Sequence, residues 1–541
     1  MSQWWRDAVF YQVYVRSFAD SDGDGVGDLD GIRARLPYLA DLGVDALWIN
    51  PFFTSPMVDH GYDIADPRDV DPIFGDLTAF DRLVAEAHRL GLRVTIDLVP
   101  NHSSDQHEWF RQALAAAPGS PERARYHFRD GRGEDGSLPP NNWPSVFGGP
   151  AWSRVTEPSG ALGQWYLHLF APQQPDLNWD NPEVLDDLEA TLRFWLDRGT
   201  DGFRIDVAHG LAKPADLPDI TGSTNLRECV DVRPRFDNDG VHRIHRRIRA
   251  VLDEYPDVMA VGEIWVNEPD RLRLYLRADE LHLAFNFLLT EARWRPDEFR
   301  KAIEASLQAV TDTPAPPCWV WSNHDVVRHV SRFGEGLVGT RRARAAALLQ
   351  FALPGVAYVY NGDELGLPNV ELPDEALQDP TWIRSEHTER GRDAGRIPMP
   401  WTTGEPPYGF STDGVATWLP MPAGWAPHSV QSQQRDPDSM LALYREAIAI
   451  RRSHPGFAGD LEWLDAPDGC LAFRRPGGLV CVVNLTNAAV ELPAGDVLLT
   501  SVPLLDGQLP GDAAVWLTEP ALAGAHRGLS SSGVETSSRR R

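Results

Sequence analysis

Three apolar runs of this chain end in a carboxylate. Gly202-Phe-Arg-Ile closes on Asp206, Ala260-Val-Gly closes on Glu263, and Cys318-Trp-Val-Trp leads through Ser322-Asn-His to Asp325. A strand that terminates in an acid delivers it to one end of a sheet, and in a closed parallel barrel that end is the working face. One such acid could simply cap the next helix. Three of them, beside Arg204, His102 and His324, are more than caps require. Two carboxylates flanking a bond are what glycoside cleavage needs: one attacks or supports the anomeric carbon, the other protonates the leaving oxygen. Neighbouring carboxylates raise one another's pKa, so one can hold a proton near neutral pH. Arg204, two residues before Asp206 on a strand, points the same way and keeps that acid ionised.

A second constellation suits a hard cation. In Asp20-Ser-Asp22-Gly-Asp24-Gly-Val26-Gly-Asp28, oxygen ligands fall at relative positions 1, 3, 5 and 9, the Val26 carbonyl at 7 and glycine at 6. This matches the front of an EF-hand loop. The twelfth position is Gly31 where such loops carry Glu. The spacing predicts a structural Ca²⁺ or Mg²⁺ site on Asp20, Asp22, Asp24, Val26 and Asp28, away from the chemistry. An acidic glycine-rich loop without an ion is the alternative.

Eight strands are predicted to position these groups: Val9–Val15, Val44–Asn50, Leu92–Val99, Gly202–Val207, Val258–Glu263, His282–Phe287, Cys318–Asn323 and Val356–Tyr360. Helical periodicity lies between them, at Asp30–Leu42, Leu77–Leu90, Pro182–Arg198, Asp297–Val310 and Arg341–Ala352. The alternation implies an α/β fold, a closed (β/α)₈ TIM barrel. An open doubly wound sheet fits less well, because no glycine-rich dinucleotide fingerprint follows the first strand. The barrel is expected in two parts, 1–102 and 173–455. Residues 103–172, rich in Gly, Pro, Trp and Asn, are too long for a bare loop and read as an irregular inserted subdomain. After the helix Ser439–Arg452, short strands at Leu461–Leu464, Cys470–Arg474, Leu479–Asn484 and Val497–Thr500 predict an antiparallel β domain over 456–518. It carries few clustered aromatics, so covering the barrel's flank suits it better than binding starch. The polar stretch 519–541 reads as a disordered tail.

Composition narrows the ligand. The 541 residues are 42% hydrophobic and include 19 Trp, enough for a large core. The net charge of −27 argues against nucleic-acid backbones and anionic membranes and suits a neutral ligand such as a sugar. Four cysteines, Cys229, Cys318, Cys470 and Cys481, are too scattered for a disulfide framework. Cys470 and Cys481 could pair across a hairpin, though buried free thiols fit better. No apolar run is long enough to span a membrane and no leader pattern opens the chain, so a cytoplasmic location is expected.

Four segments then resemble, in order, the signature regions of the α-amylase family of glycoside hydrolases: Asp97-Leu-Val-Pro-Asn-His102, Gly202-Phe-Arg-Ile-Asp206, Val261-Gly-Glu263-Ile-Trp and Ser322-Asn-His-Asp325. Gln174-Pro-Asp-Leu-Asn178-Trp is similar to the extra motif of its α-glucosidase and oligo-1,6-glucosidase branch. Trp4-Trp5, Tyr11-Gln-Val-Tyr14, the loop 20–28, Pro139-Pro-Asn-Asn-Trp143 and Phe147-Gly-Gly match that branch too. The resemblance covers about Trp4 to Trp516. It implies Asp206 as nucleophile, Glu263 as general acid/base and Asp325 as transition-state stabiliser. It also implies retention, with Asp206 and Glu263 at the shorter carboxylate spacing of about 5–5.5 Å. His102, His324, Arg204 and Phe147 would surround the sugar, with Tyr62 as its platform. Asp59 and Arg396 would clamp the non-reducing end, closing the pocket so that single glucosyl units are removed.

Two cues about linkage disagree. Val207 after the nucleophile is associated in the family with α-1,6 bonds, whereas the run Val207-Ala-His-Gly-Leu211 resembles α-glucosidases acting on maltose. The longer match favours α-1,4. His209 could reach the neighbouring sugar or pack behind its strand. The function implied is a retaining exo-α-glucosidase acting on short oligosaccharides, as a monomer or homodimer. An oligo-1,6-glucosidase, or a glucosyltransferase or sugar isomerase using the same acids, is the alternative. A silent binding module would need a lost acid or a membrane anchor.

Overall fold

Short apolar runs become strands here because helices cover them on one side and each other's side chains on the other. The computed structural model describes residues 3–221 and 234–519. Eight parallel strands, β1 (Val9–Val13), β2 (Ala46–Ile49), β3 (Arg93–Leu98), β4 (Gly202–Ile205), β5 (Met259–Glu263), β6 (Leu283–Phe285), β7 (Cys318–Val320) and β8 (Val356–Tyr360), form one sheet. Their order is β6-β5-β4-β3-β2-β1-β8-β7, so the ladder runs around the barrel with its seam between β6 and β7. This is the predicted (β/α)₈ architecture.

The strand residues divide by alternation. Phe10, Trp48, Val261, Phe285, Val320 and Tyr358 pack together as the barrel's interior plug. Their neighbours Tyr11, Leu47, Ile49, Ile96, Phe203 and Ile205 face the surrounding helices. The helices start where the sequence offers caps: Asp28 accepts from the Gly31 N–H before Leu29–Leu42, Asp76 from Ala79 before Leu77–Arg89, and Asn181 from Glu183 before Pro182–Asp197. Helix Val241–Leu252 was not foreseen, although Val241, Ile244, Ile248, Val251 and Leu252 share its buried face. Helix Gly336–Ala352 begins five residues before the expected Arg341, through glycines that local propensity disfavours.

The segment between β3 and β4 carries its own antiparallel sheet, with Leu162–Leu167 central between Phe128–Arg129 and Trp152–Thr156. Trp143, Trp152, Leu167 and Leu169 pack with Val207 and Phe236, seating this insert beside the end of β4. A buried ammonium ties the same elements together. Lys213 Nζ donates to Asp176 Oδ2 at 2.8 Å, to Asn101 Oδ1 at 2.9 Å and to the Gly210 carbonyl.

A five-stranded antiparallel sheet follows the barrel, in the order Glu462–Trp463, Cys470–Arg474, Leu479–Asn484, Ala513–Thr518, Asp496–Thr500. Strand Ala513–Thr518 was not predicted, yet it lies inside the sheet. Its Trp516 is fully buried and donates to the Leu348 carbonyl of helix Gly336–Ala352 at 3.0 Å, so the sheet covers the barrel's flank. Cys470 and Cys481 are buried free thiols; they oppose Asn484 and Phe473 across the hairpin, not each other. Cys229 and the expected tail from 520 onward lie outside the described residues. Among the described residues no helix is long and apolar enough to cross a membrane.

Candidate active site

One guanidinium organises the strand-end acids. Arg204, in β4, is fully buried over the face of Trp48 at 4.9 Å. Its Nη1 reaches Asp206 Oδ1 at 2.6 Å and Asp97 Oδ1 at 2.7 Å; its Nη2 reaches Glu263 Oε2 at 2.9 Å. Parallel register makes this possible, since Arg204 stands opposite Asp97 of β3 and Val261 of β5. Asp97 also accepts from Trp48 Nε1 at 2.9 Å and Tyr62 Oη at 3.1 Å. Burial pushes the Asp97 carboxyl up to about 6 against the pull of Arg204. Burial raises Asp206 as well; Arg204 opposes that, while Glu263, Asp97 and Asp325 reinforce it. One positive group cannot neutralise three carboxylates, so the charged forms of Asp97 and Asp206 are disfavoured despite the contact with Arg204.

Glu263 is fixed from two further sides. Its Oε2 accepts the Val207 N–H at 3.0 Å and its Oε1 the Trp265 indole N–H at 3.0 Å. Val207 itself stands at φ +45°, where a β-branched residue is strained by about 1–3 kcal/mol. His209 packs behind the strand: it stacks on Phe236 at 5.0 Å, with Nδ1 3.3 Å from the Glu263 carbonyl.

Asp325 follows β7, its Oδ2 3.2 Å from His324 Nε2 and its Oδ1 3.0 Å from Arg392 Nη1 and 3.2 Å from Arg396 Nη2. Burial works against its charge, but His324 and the arginines draw the carboxyl well below its usual range. The rings of Tyr62 and His324 lie parallel at 5.3 Å, with Tyr62 Oη 2.8 Å from His324 Nε2. His102 is held at the Tyr62 carbonyl and by Gln174, and burial lowers it to about 4, so it is neutral at pH 7.

The far end of the site corrects one expectation. The resemblance pairs Asp59 with Arg396, but the structure puts Arg392 beside Asp59. Its Nη2 lies 2.8 Å from Asp59 Oδ1, and its guanidinium stacks over Phe147 at 4.9 Å. Arg396 sits behind, almost fully buried, donating to the His324 carbonyl at 2.8 Å and lying over Tyr14 at 5.3 Å. Two arginines four residues apart in one run are indistinguishable by type, and the turn Asp393–Gly395 between them sends them to different layers. Sequence reasoning also passed over Gln174, which donates to Asp59 Oδ2 at 3.1 Å, and Asp379, which holds Arg392 Nε at 2.6 Å. Gln174 stood inside a motif already singled out; Asp379 lay in none. Asp63 positions Asp59 itself, accepting the Asp59 N–H at 2.9 Å.

In the acidic loop, carboxylate oxygens of Asp20, Asp22 and Asp28 lie within 4.8 Å of one another. Asp24 is outside that set, its Oδ1 accepting the Val26 N–H at 2.8 Å. Burial and the neighbouring acids, Asp24 foremost, raise Asp22. Carboxylates gathered on a glycine turn are a donor set that fits a hard cation.

Residues 12–459 match the family model "Alpha amylase, catalytic domain". A probable alpha-glucosidase of Rhizobium meliloti (strain 1021) is 41% identical over 513 residues, covering 91% of this chain and 91% of that protein. An oligo-1,6-glucosidase of Parageobacillus thermoglucosidasius is 34% identical, covering 83% and 84%. The crystal structure of an alpha-glucosyl transfer enzyme superposes with a TM-score of 0.86 at 39% identity, covering 96% of this chain and all of that one. The chain therefore belongs to the α-amylase family of glycoside hydrolases, within its α-glucosidase and oligo-1,6-glucosidase branch.

Proposed function

We propose that this protein is a retaining exo-α-glucosidase that releases α-D-glucose from the non-reducing end of short α-1,4-linked oligosaccharides such as maltose. The observation that carries the reading is the pairing of the buried Asp59 with Arg392, 2.8 Å apart. Asp59, tied to Arg392 and Gln174, would block a longer chain from continuing past the non-reducing glucose. A glucosyl ring fits against Tyr62, His324, His102, Arg204 and Phe147, its outer hydroxyls meeting Asp59 and Arg392.

Asp206 attacks the anomeric carbon while Glu263 gives its proton to the leaving oxygen, breaking the glycosidic bond and forming a glucosyl ester. Glu263, now ionised, takes a proton from water; the oxygen attacks the same carbon and the ester bond breaks. Glu263 ends protonated, Asp206 ionised and the glucose in the α configuration. Asp325 holds ring hydroxyls and favours the distorted transition state.

Interception of the ester by a sugar instead of water is the second reading, supported by the likeness to an alpha-glucosyl transfer enzyme. Cleavage of α-1,6 bonds draws on Val207 beside Glu263. Asp20, Asp22 and Asp28 would hold a structural Ca²⁺ or Mg²⁺, which would offset their repulsion. The net charge of −27 suits a small neutral substrate in the cytoplasm, with no nucleic-acid or membrane partner. The enzyme would act as a monomer or homodimer. Initial rates on maltose, maltotriose, isomaltose, sucrose and soluble starch test the proposal. Maltose and maltotriose should lead with starch nearly inert; isomaltose leading would move the protein to the α-1,6 side, and new oligosaccharides in place of glucose would make it a transferase.

A further inference from the structure

We propose that Asp379 is a positioning residue: it sets the plane of the Arg392 guanidinium so that its two tips meet Asp59 and Asp325 together. The proposal rests on the glucoside-cleaving reading of the site. Asp379 is fully buried. Its Oδ2 accepts from Arg392 Nε at 2.6 Å and from the Arg392 backbone N–H at 2.8 Å, and its Oδ1 accepts the Thr381 N–H at 2.8 Å. A guanidinium is a rigid planar fork, so fixing Nε fixes where Nη1 and Nη2 point. Nη1 then falls 3.0 Å from Asp325 and Nη2 2.8 Å from Asp59. The face of Phe147 restrains the tilt of the plane, not its rotation.

The surroundings hold Asp379 as firmly as it holds the arginine. Gly391 stands at φ +71°, and a Cβ there would lie 2.5 Å from Asp379 Cγ, so only glycine lets the two segments approach. In return, Asp393 Oδ2 accepts the N–H groups of Gln378 at 2.6 Å and Asp379 at 2.9 Å. Residues 378–379 and 391–393 thus lock each other through one carboxylate apiece. Burial disfavours the Asp379 charge, yet Arg392 and Arg396 keep the carboxyl well below its usual range.

A double-mutant cycle of wild type, Asp379→Asn, Arg392→Ala and the double variant, assayed on the best α-glucoside with thermal unfolding of each, tests the assignment. Asp379→Asn should lower kcat/KM by about 10-fold or more, mostly through KM, since charge-assisted bonds of this kind are lost. In the Arg392→Ala background the same change should cost less than about 2-fold. Equal losses in both backgrounds would show that Asp379 does not act through Arg392 and would overturn the proposal. Gly391→Ala, which crowds Asp379 from the other side, should give the same KM-weighted loss if Asp379→Asn does not fold. A crystal structure of either variant separates this proposal from the functional reading. Arg392 should leave Asp59 or Asp325; both contacts intact would sink the positioning role whatever the wild type cleaves.

Discussion

Replacing Lys213 by Met probes how the insert is fastened to the barrel. The ammonium is 1% exposed and its three donors are all used, on Asp176, Asn101 and Gly210. Methionine keeps the stem's volume and removes the charge, leaving the fully buried Asp176 without its counter-ion. Breaking a buried pair from one side costs about 3–5 kcal/mol. Asp176 still accepts from the Leu169 N–H at 2.8 Å and Asn101 Nδ2 at 3.2 Å, which places the loss toward the lower figure. An unfolding entropy of about 2 cal/mol/K per residue over ~500 residues makes a degree worth about 1 kcal/mol, so Tm should fall by about 3–4 °C. Asn101 also touches His102, with Nδ2 3.1 Å from its Nδ1, so kcat/KM should drop with stability. Removing both charges in Lys213→Met/Asp176→Leu should recover part of the loss. The measurement is calorimetric unfolding of the three proteins. A Tm for Lys213→Met within about 1 °C of wild type, or a double variant no more stable than the single, refutes the reasoning.

Asp206→Ala should abolish turnover while leaving the circular dichroism spectrum unchanged, because barrel stability resides mainly away from the catalytic face; wild-type-like rates would remove Asp206 as nucleophile. His245 donates to the Ala208 carbonyl at 2.8 Å and burial lowers it to about 4, below its unfolded value. The unfolded chain therefore binds a proton that the native one refuses, and this contribution, full above about pH 6.5, is lost as pH falls toward 4. The stability advantage of wild type over His245→Gln should accordingly shrink by about 2.5 kcal/mol between pH 7.5 and 4.5, read from paired Tm values. A gap independent of pH would contradict the burial argument. Chelation with EDTA should lower Tm and added Ca²⁺ restore it, with neither change in Asp20→Ala; a Tm insensitive to both would leave the acidic loop without an ion.

The barrel was legible because its signal is local. Alternating apolar and amphipathic segments located all eight strands, and the three acids at strand ends all meet arginines, Asp206 and Glu263 through Arg204 and Asp325 through Arg392. What escaped depends on pairing across the chain. Ala513–Thr518 is a short apolar run like many others, and only its neighbours in the sheet make it central. Arg392 and Arg396 have the same chemistry, and the choice between them is made by Asp379 and Asp59, 13 and 333 residues away. Asp97 appeared in a motif without a role, because its partner Arg204 stands 107 residues on and meets it only through parallel register.

The proposed double displacement on Asp206, with Asp59 and Arg392 blocking the non-reducing end, would fix both the anomer and the size of the first product. Proton NMR of the first products from maltotriose tests it most directly, recorded before mutarotation blurs the anomers. α-Glucose and maltose should appear together in equal amounts. β-Glucose as the first anomer would contradict retention, and cleavage inside longer chains, without free glucose, would contradict the closed pocket.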